Sequence, residues 1–392
     1  MLTEEEALGS ILAAIRPLEA EEEPLFAAGD RVLAEDVFAK AALPRFDNSM
    51  MDGYAVRAAD ATAGAKLRIT GEQPAGPDQG LTVLPGAAIR LYTGAPIPQG
   101  ADAVVMQEDC DREGNTITIR EAVAIGDFIR RRGGDLCEGQ KIAPGGTRLT
   151  APLLATLASQ GMGRVKVFRR PEVAVLATGS ELRTAPEPLG PGEIYETNRI
   201  MLQELVRKAG GVPHLFEPVP DREQDHFNAL RKAASRDVVL IAGGVSVGER
   251  DLVKSTVERI GGKIDLWKVA VRPGKPFVFG RLHEAWLFGL PGNPVSAFVT
   301  FVLFVRPALL ALQGWRGASL SMTEAVASQA IKNPGERPHY LRGRLESGQF
   351  TPTGVQESHA LFGLAKANAL LRVGAGEEIS QGQRVVVVIG DW

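Results

Sequence analysis

The stretch from residue 171 to 314 most constrains what this chain can fold into. Short apolar runs alternate there with amphipathic segments. VAVLAT (173–178), PHLFEPV (213–219), DVVLIAGG (237–244) and AWLFGL (285–290) read as strands. Between them lie NRIMLQELVRKAGG (198–211), DREQDHFNALRKAAS (221–235) and DLVKSTVERIGG (251–262), which read as helices. The first has Asn198 as its cap and Gly210 as its stop. PVSAFVTFVLFVRPALLALQG (294–314) follows as a long buried helix. Apolar strands joined by helices of this length predict a parallel, doubly wound α/β sheet.

The flanks follow other periods. Thr3 and Glu6 form a T-x-x-E capping box, and apolar residues at helical spacing then run to Pro17. From about residue 65 to 140 short β runs (KLRIT, AAIRLYTG, ADAVVMQ, NTITIRE) are cut by Gly and Pro, the pattern of a small β-rich lobe. LTAPLLATLASQG (149–161) is helical, with Gly161 as its stop. Beyond about residue 317, YLRGRLE, ALLRV and RVVVVIG are strand-like and predict a small C-terminal β domain.

A chain of 392 residues has room for two to four domains. Its net charge of −3 gives no reason to expect nucleic acid or an acidic membrane as a partner. The one dense basic run, IRRRGG (129–134), is too short for an electrostatic footprint. Cys110 and Cys137 have neither disulfide-framework nor zinc spacing, and a reducing cytoplasm suits them. The acidic, amphipathic N-terminus is unlike a signal peptide. SAFVTFVLFV (296–305), at about ten apolar residues before Arg306 and Pro307, falls short of a membrane span.

In an open α/β sheet, ligands bind beyond the carboxyl ends of the strands. Three loops leave strand ends with suitable chemistry: ATGSEL (177–182), IAGGVSVGERD (241–251) and GLPGNPVSA (289–297). Glycines let backbone approach an anion, and the N–H groups opening the next helix point at it. None is a P-loop, since no GK[ST] follows, and none is G-x-G-x-x-G. Glu181 and Asp251 stand just after two of these loops. Carboxylates beside a polyphosphate need a cation between them, and Mg²⁺ suits hard oxygen ligands. Asp251 and Asp221 also stand where an acid would cap a helix, so each has both readings. Lys268, Arg272 and Lys275, in WKVAVRPGKPF (267–277), could gather cations at one loop for a phosphate or an oxyanion. In RFDNSMMDGYAV (45–56), Asp47, Asn48, Ser49, Asp52 and Gly53 make a polar cluster. Thr93 in LYTGAPIP and Asp135 in RRGGD belong to the same half and also fit turn chemistry.

As a set, FDNSMMDGYAV, YTGAPIPQGADAVVMQE, IRRRGGD, ATGSEL, YETNR, GGVSVGERD, WKVAVRPGKPF and GLPGNPVSA resemble the molybdopterin molybdenumtransferase (MoeA) family, which is similar to the E domain of gephyrin. The motifs stand in family order over nearly the whole chain. The resemblance implies four domains. Residues 1–45 with 141–170 would form an N-terminal linker domain, interrupted by a β-rich lobe at 46–140. Residues 171–316 would form the α/β domain, like the molybdopterin adenylyltransferases, and 317–392 a C-terminal β-barrel. It also implies a homodimer with its active site at the subunit interface.

The implied reaction consumes adenylylated molybdopterin and molybdate as substrates, releases AMP and yields molybdenum cofactor. Function then falls on Asp52, Thr93, Asp135, Glu181, Asp221 and Asp251. Gly243, Gly244, Ser246, Pro291, Gly292 and Asn293 would hold the adenylate. Lys268, Arg272, Lys275, Arg342 and Ser358 would bind substrate, and Glu181 with Asp251 would hold Mg²⁺. A molybdopterin adenylyltransferase is the expected supplier of substrate. Two rival readings are an adenylyltransferase and a non-catalytic dimeric scaffold that binds pterin or peptide.

Overall fold

The computed structural model describes residues 1–245, 252–317, 320–390 and 392. The chain divides into two compact units. One comprises residues 1–34, 146–150 and 164–392, the other 35–145 and 151–163.

The first unit is built on a six-stranded sheet. Its strands are β1 (Glu172–Ala177), β2 (Val212–Leu215), β3 (Val238–Ala242), β4 (Lys263–Trp267), β5 (Val278–Leu282) and β6 (Ala285–Leu290). They lie in the order β2-β1-β3-β6-β5-β4. The four strands read from the sequence pair in parallel. β5 and β4 were not anticipated, and they extend the sheet antiparallel from β6. A hairpin needs only a short turn, so no helical signal separates β5 from β6.

Helices α1 (Glu4–Ala14), α2 (Asn198–Lys208), α3 (Glu223–Ala233), α4 (Leu252–Arg259) and α5 (Pro294–Leu312) also belong to this unit. The capping box of α1 forms: Glu6 N–H donates to Thr3 Oγ1 at 3.2 Å, and Thr3 N–H donates to Glu6 Oε2 at 2.8 Å. Alternate residues of the strands face opposite layers. Val175, Leu240 and Phe288 pack with Leu202 of α2 and with Phe301 and Phe304 of α5. Ala174, Leu176, Val239, Ile241 and Leu287 pack with Leu230 of α3 and with Val253 and Val257 of α4. Each large apolar side chain so buried contributes about 1.5–3 kcal/mol.

Helix α5 runs through Pro307, although proline cannot donate to the preceding turn. The mismatch is absorbed by a π-helical segment, Phe301–Val305, in which Arg306 N–H donates to the Phe301 carbonyl. Among the described residues α5 alone is long and apolar enough to cross a membrane, and 89% of its apolar window is buried inside the protein. Burial therefore makes it the core helix expected from the sequence.

A closed five-stranded barrel completes this unit. Its strands are β7 (Met322–Ala327), β8 (His339–Glu346), β9 (Gln349–Pro352), β10 (Ala369–Val373) and β11 (Arg384–Ile389). Leu341, Phe350, Leu371 and Val387 fill its interior.

The second unit carries a separate six-stranded sheet. Gly53–Val56 lies inside it, between Ala103–Met106 and Ala87–Leu91. Gly53 is obligatory there, because a Cβ would sit 2.0 Å from the Val105 carbonyl oxygen.

Candidate functional site

Strands β1, β3 and β6 end level, with Ala177 beside Ala242 and Ala242 beside Leu290. β1 leads to β2 on one side, and β3 lies on the other, so the chain reverses direction across the sheet here. Loops leaving at such a point splay apart and open a crevice. The crevice is a cavity of about 1200 Å³.

All three glycine-bearing loops reach this cavity. Gly179, Glu181, Gly243, Gly244, Pro291, Gly292 and Asn293 line it. Gly243 N–H donates to the Leu290 carbonyl at 3.0 Å, and Thr178 N–H donates to the Ala242 carbonyl at 2.9 Å. Asn198 is the first residue of α2 rather than its cap. Its Nδ2 donates to the Gly292 carbonyl at 2.7 Å, tying α2 to the PGNP turn. Ser246 and Asp251 lie outside the described residues.

Asp221 lines the cavity without capping α3, whose N-cap position is held by Arg222. Its carboxylate accepts from Ser180 N–H at 3.2 Å, and its own N–H donates to Ser180 Oγ at 2.9 Å. This reciprocal pair joins the loop after β1 to the loop before α3. Glu181 is exposed, with its carboxylate folded over Gly179.

Arg272 and Lys275 line the cavity, but Lys268 does not. Lys268 N–H donates to the Phe277 carbonyl at 2.9 Å, which continues the β4–β5 hairpin. The sequence reading missed Arg337, a third cation on the wall, with one guanidinium N–H on the Val271 carbonyl at 2.9 Å. Arg337 comes from the barrel, more than 60 residues beyond the basic loop, so no local spacing could associate the two.

The segment 356–358 forms another wall, through Gln356, Glu357 and Ser358. Asn293 Nδ2 donates to Ser358 Oγ at 2.9 Å. Arg342 is not on the wall but behind it, fully buried. Its guanidinium donates to the carbonyls of Val355 and Glu357, and its backbone N–H donates to Gln356 Oε1 at 2.9 Å. Burial lowers the Arg342 pKa from its ordinary value, partly offset by Glu357.

In the second unit, Asp52 Oδ1 accepts from Thr93 N–H at 2.8 Å and from Thr93 Oγ1 at 2.9 Å. Those bonds, the backbone one foremost, hold the Asp52 pKa below its ordinary value. Asp47 is likewise lowered, chiefly by Arg132 N–H and then by Arg131. Asp135 is exposed on a turn and donates its own N–H to the Leu43 carbonyl.

Among the described residues no group of three or more His, Cys, Asp or Glu could hold a metal on its own. Mg²⁺ asks for less, since one or two carboxylates with substrate oxygens suffice. Glu181, the described member of the expected pair, faces a cavity large enough for a nucleotide, so it fits a magnesium ion shared with a phosphate.

Comparison with known proteins covers nearly all of the chain. The MoeA N-terminal region (domain I and II) matches residues 2–161, a probable molybdopterin binding domain matches 174–311, and the MoeA C-terminal region (domain IV) matches 324–389. The molybdopterin molybdenumtransferase of Haemophilus influenzae is 38% identical over 97% of this chain and 98% of its own. That of Nostoc sp. is 37% identical over 93% and 87% respectively. A crystal structure of the molybdopterin biosynthesis moeA protein of Pyrococcus horikoshii OT3 superposes with a TM-score of 0.87 at 33% identity, covering all of both chains. With three family models in order and relatives alike from end to end, the chain belongs to the molybdopterin molybdenumtransferase (MoeA) family.

Proposed function

We propose that the protein inserts molybdenum from molybdate into adenylylated molybdopterin, releasing AMP and giving molybdenum cofactor. The cavity at the level strand ends carries this reading. Glycine turns suited to phosphate, the carboxylates Glu181, Asp221 and Glu357, and the cations Arg272, Lys275 and Arg337 all line it. The relatives' activity and this arrangement ask for the same substrate chemistry, an anionic nucleotide beside an oxyanion.

The backbone of Gly243 and Gly244, Ser246, and the Pro291-Gly292-Asn293 turn hold the adenylate. Glu181 and Asp251 would hold Mg²⁺, which when bound would supply charge neutralisation at the phosphoanhydride. Arg272 and Lys275, with Lys268 nearby in sequence, draw molybdate in and offset charge that develops as the anhydride breaks. Asp221 orients the adenylate side of the substrate, and Ser358 donates or accepts at the wall that Arg342 supports. Asp52, kept ionised by Thr93, and Asp135 orient the substrate or an attacking oxygen.

The domain division is the one expected from the resemblance: 1–45 with 141–170, 46–140, 171–316 and 317–392. The chain works in the cytoplasm as a homodimer with the active site at the subunit interface, supplied by a molybdopterin adenylyltransferase. Exposed Phe46, Met50 and Met51 in the second unit support a partner surface.

The test separates the rivals. Incubated with ATP and molybdopterin, the protein is expected to release no pyrophosphate; release would make it an adenylyltransferase. Given adenylylated molybdopterin and molybdate, it is expected to yield a cofactor that activates an apo-molybdoenzyme. Binding without turnover would leave only the scaffold.

A further inference from the structure

The side chain of His226 has no part in the mechanism above, yet it lies against two of the elements that do. It projects from the first turn of α3 and is 1% exposed. Neither ring nitrogen has a hydrogen-bond partner among the described residues. An unpaired buried polar group costs roughly 1–3 kcal/mol. Leucine or methionine would fill the same space without that cost.

Two neighbours give the imidazole something to do. Asp221 Oδ1 stands 3.9 Å from Nε2. Gly244 packs on the ring edge: a Cβ there would lie 3.6 Å from His226 Cε1 and 2.9 Å from Thr178 Oγ1. Thr178 Oγ1 is also buried and unpartnered among the described residues. The imidazole thus bridges the floor of the glycine turn and the carboxylate on the cavity wall. Asp221 and Asp225 are the charged groups that act on it. Burial outweighs both and lowers the pKa from its ordinary value, so the ring is neutral near pH 7. A neutral ring can donate from one nitrogen only.

We propose that His226 is a positioning residue, whose Nε2–H closes onto Asp221 Oδ1 when substrate binds and fixes that carboxylate against the cavity. Hydrogen bonds in unliganded sites are often long and tighten in the substrate complex. The inference rests on the reading above that Asp221 acts on the substrate.

Glutamine and methionine at 226 are nearly isosteric, but only glutamine can donate. The test compares H226Q, H226M, D221N and D221N/H226M by steady-state AMP release, at a temperature where circular dichroism shows each variant folded. H226Q is expected within about 3-fold of the parent. H226M is expected to lose about 10-fold in kcat with little change in KM, the signature of a misplaced group. D221N/H226M is expected to be no slower than D221N, because a positioning residue has nothing left to position. Equal rates for H226Q and H226M, with D221N slow, would overturn the role of His226 alone. Additive losses in the double variant would do the same. A D221N enzyme at parental rate would remove the role of Asp221 and this inference with it.

Discussion

Gly243 has a φ of +93°, and a Cβ on it would stand 2.6 Å from the Thr178 carbonyl oxygen. An alanine there meets both the left-handed penalty of about 1–2 kcal/mol and a backbone clash. Gly243→Ala is therefore expected to lower the urea midpoint and to cut AMP release together, because the same turn supports the fold and, on the proposed reading, receives the phosphate. His339 gives a separate signature. It is buried near Arg272, Arg342 and Arg337, and burial foremost, then those charges, push its pKa from 6.5 down to about 4. Between those values the unfolded chain binds the proton and the folded chain does not. Stability is then complete above pH 6.5 and declines as pH falls towards 4, by up to roughly 3 kcal/mol. Urea unfolding between pH 4 and 7.5 is expected to show that decline, and His339→Gln is expected to flatten it.

The elements differ in how far the sequence announced them. β1, β3, β6 and α5 are apolar runs buried on both sides, so composition and length alone identify them. The glycine-rich loops were legible because parallel topology sends them all to one edge. β4 and β5 were not, since a basic loop and a hairpin carry no crossover helix. The walls made by Arg337 and by residues 356–358 were hidden for a different reason: they arrive from the barrel through tertiary packing, which no local pattern encodes. Arg342 was legible as a family position but not as a buried brace. Arg342→Ala would strand the carbonyls of Val355 and Glu357 and is expected to lower stability by roughly 2–4 kcal/mol. With the Ser358 wall loosened, KM for the adenylylated substrate should rise; an unchanged KM would mean that the brace and the wall are independent.

At the scale of the whole molecule, the homodimer reading makes a mixing prediction. If residues from both subunits serve each site, Asp52→Ala and Asp221→Ala variants, each inactive alone, should complement when their subunits are exchanged. Random mixing would restore about one quarter of the sites, by the pairing statistics of a two-fold dimer. No recovery after confirmed exchange would place both residues in sites made by single chains. The central claim, molybdenum insertion coupled to loss of AMP, is tested most directly by counting both products in one reaction. Adenylylated molybdopterin is incubated with the protein with and without molybdate, and AMP and pterin-bound molybdenum are quantified. The account predicts AMP release that depends on molybdate, with one molybdenum retained for each AMP. AMP release at the same rate without molybdate, or AMP with no molybdenum on the pterin, would contradict it.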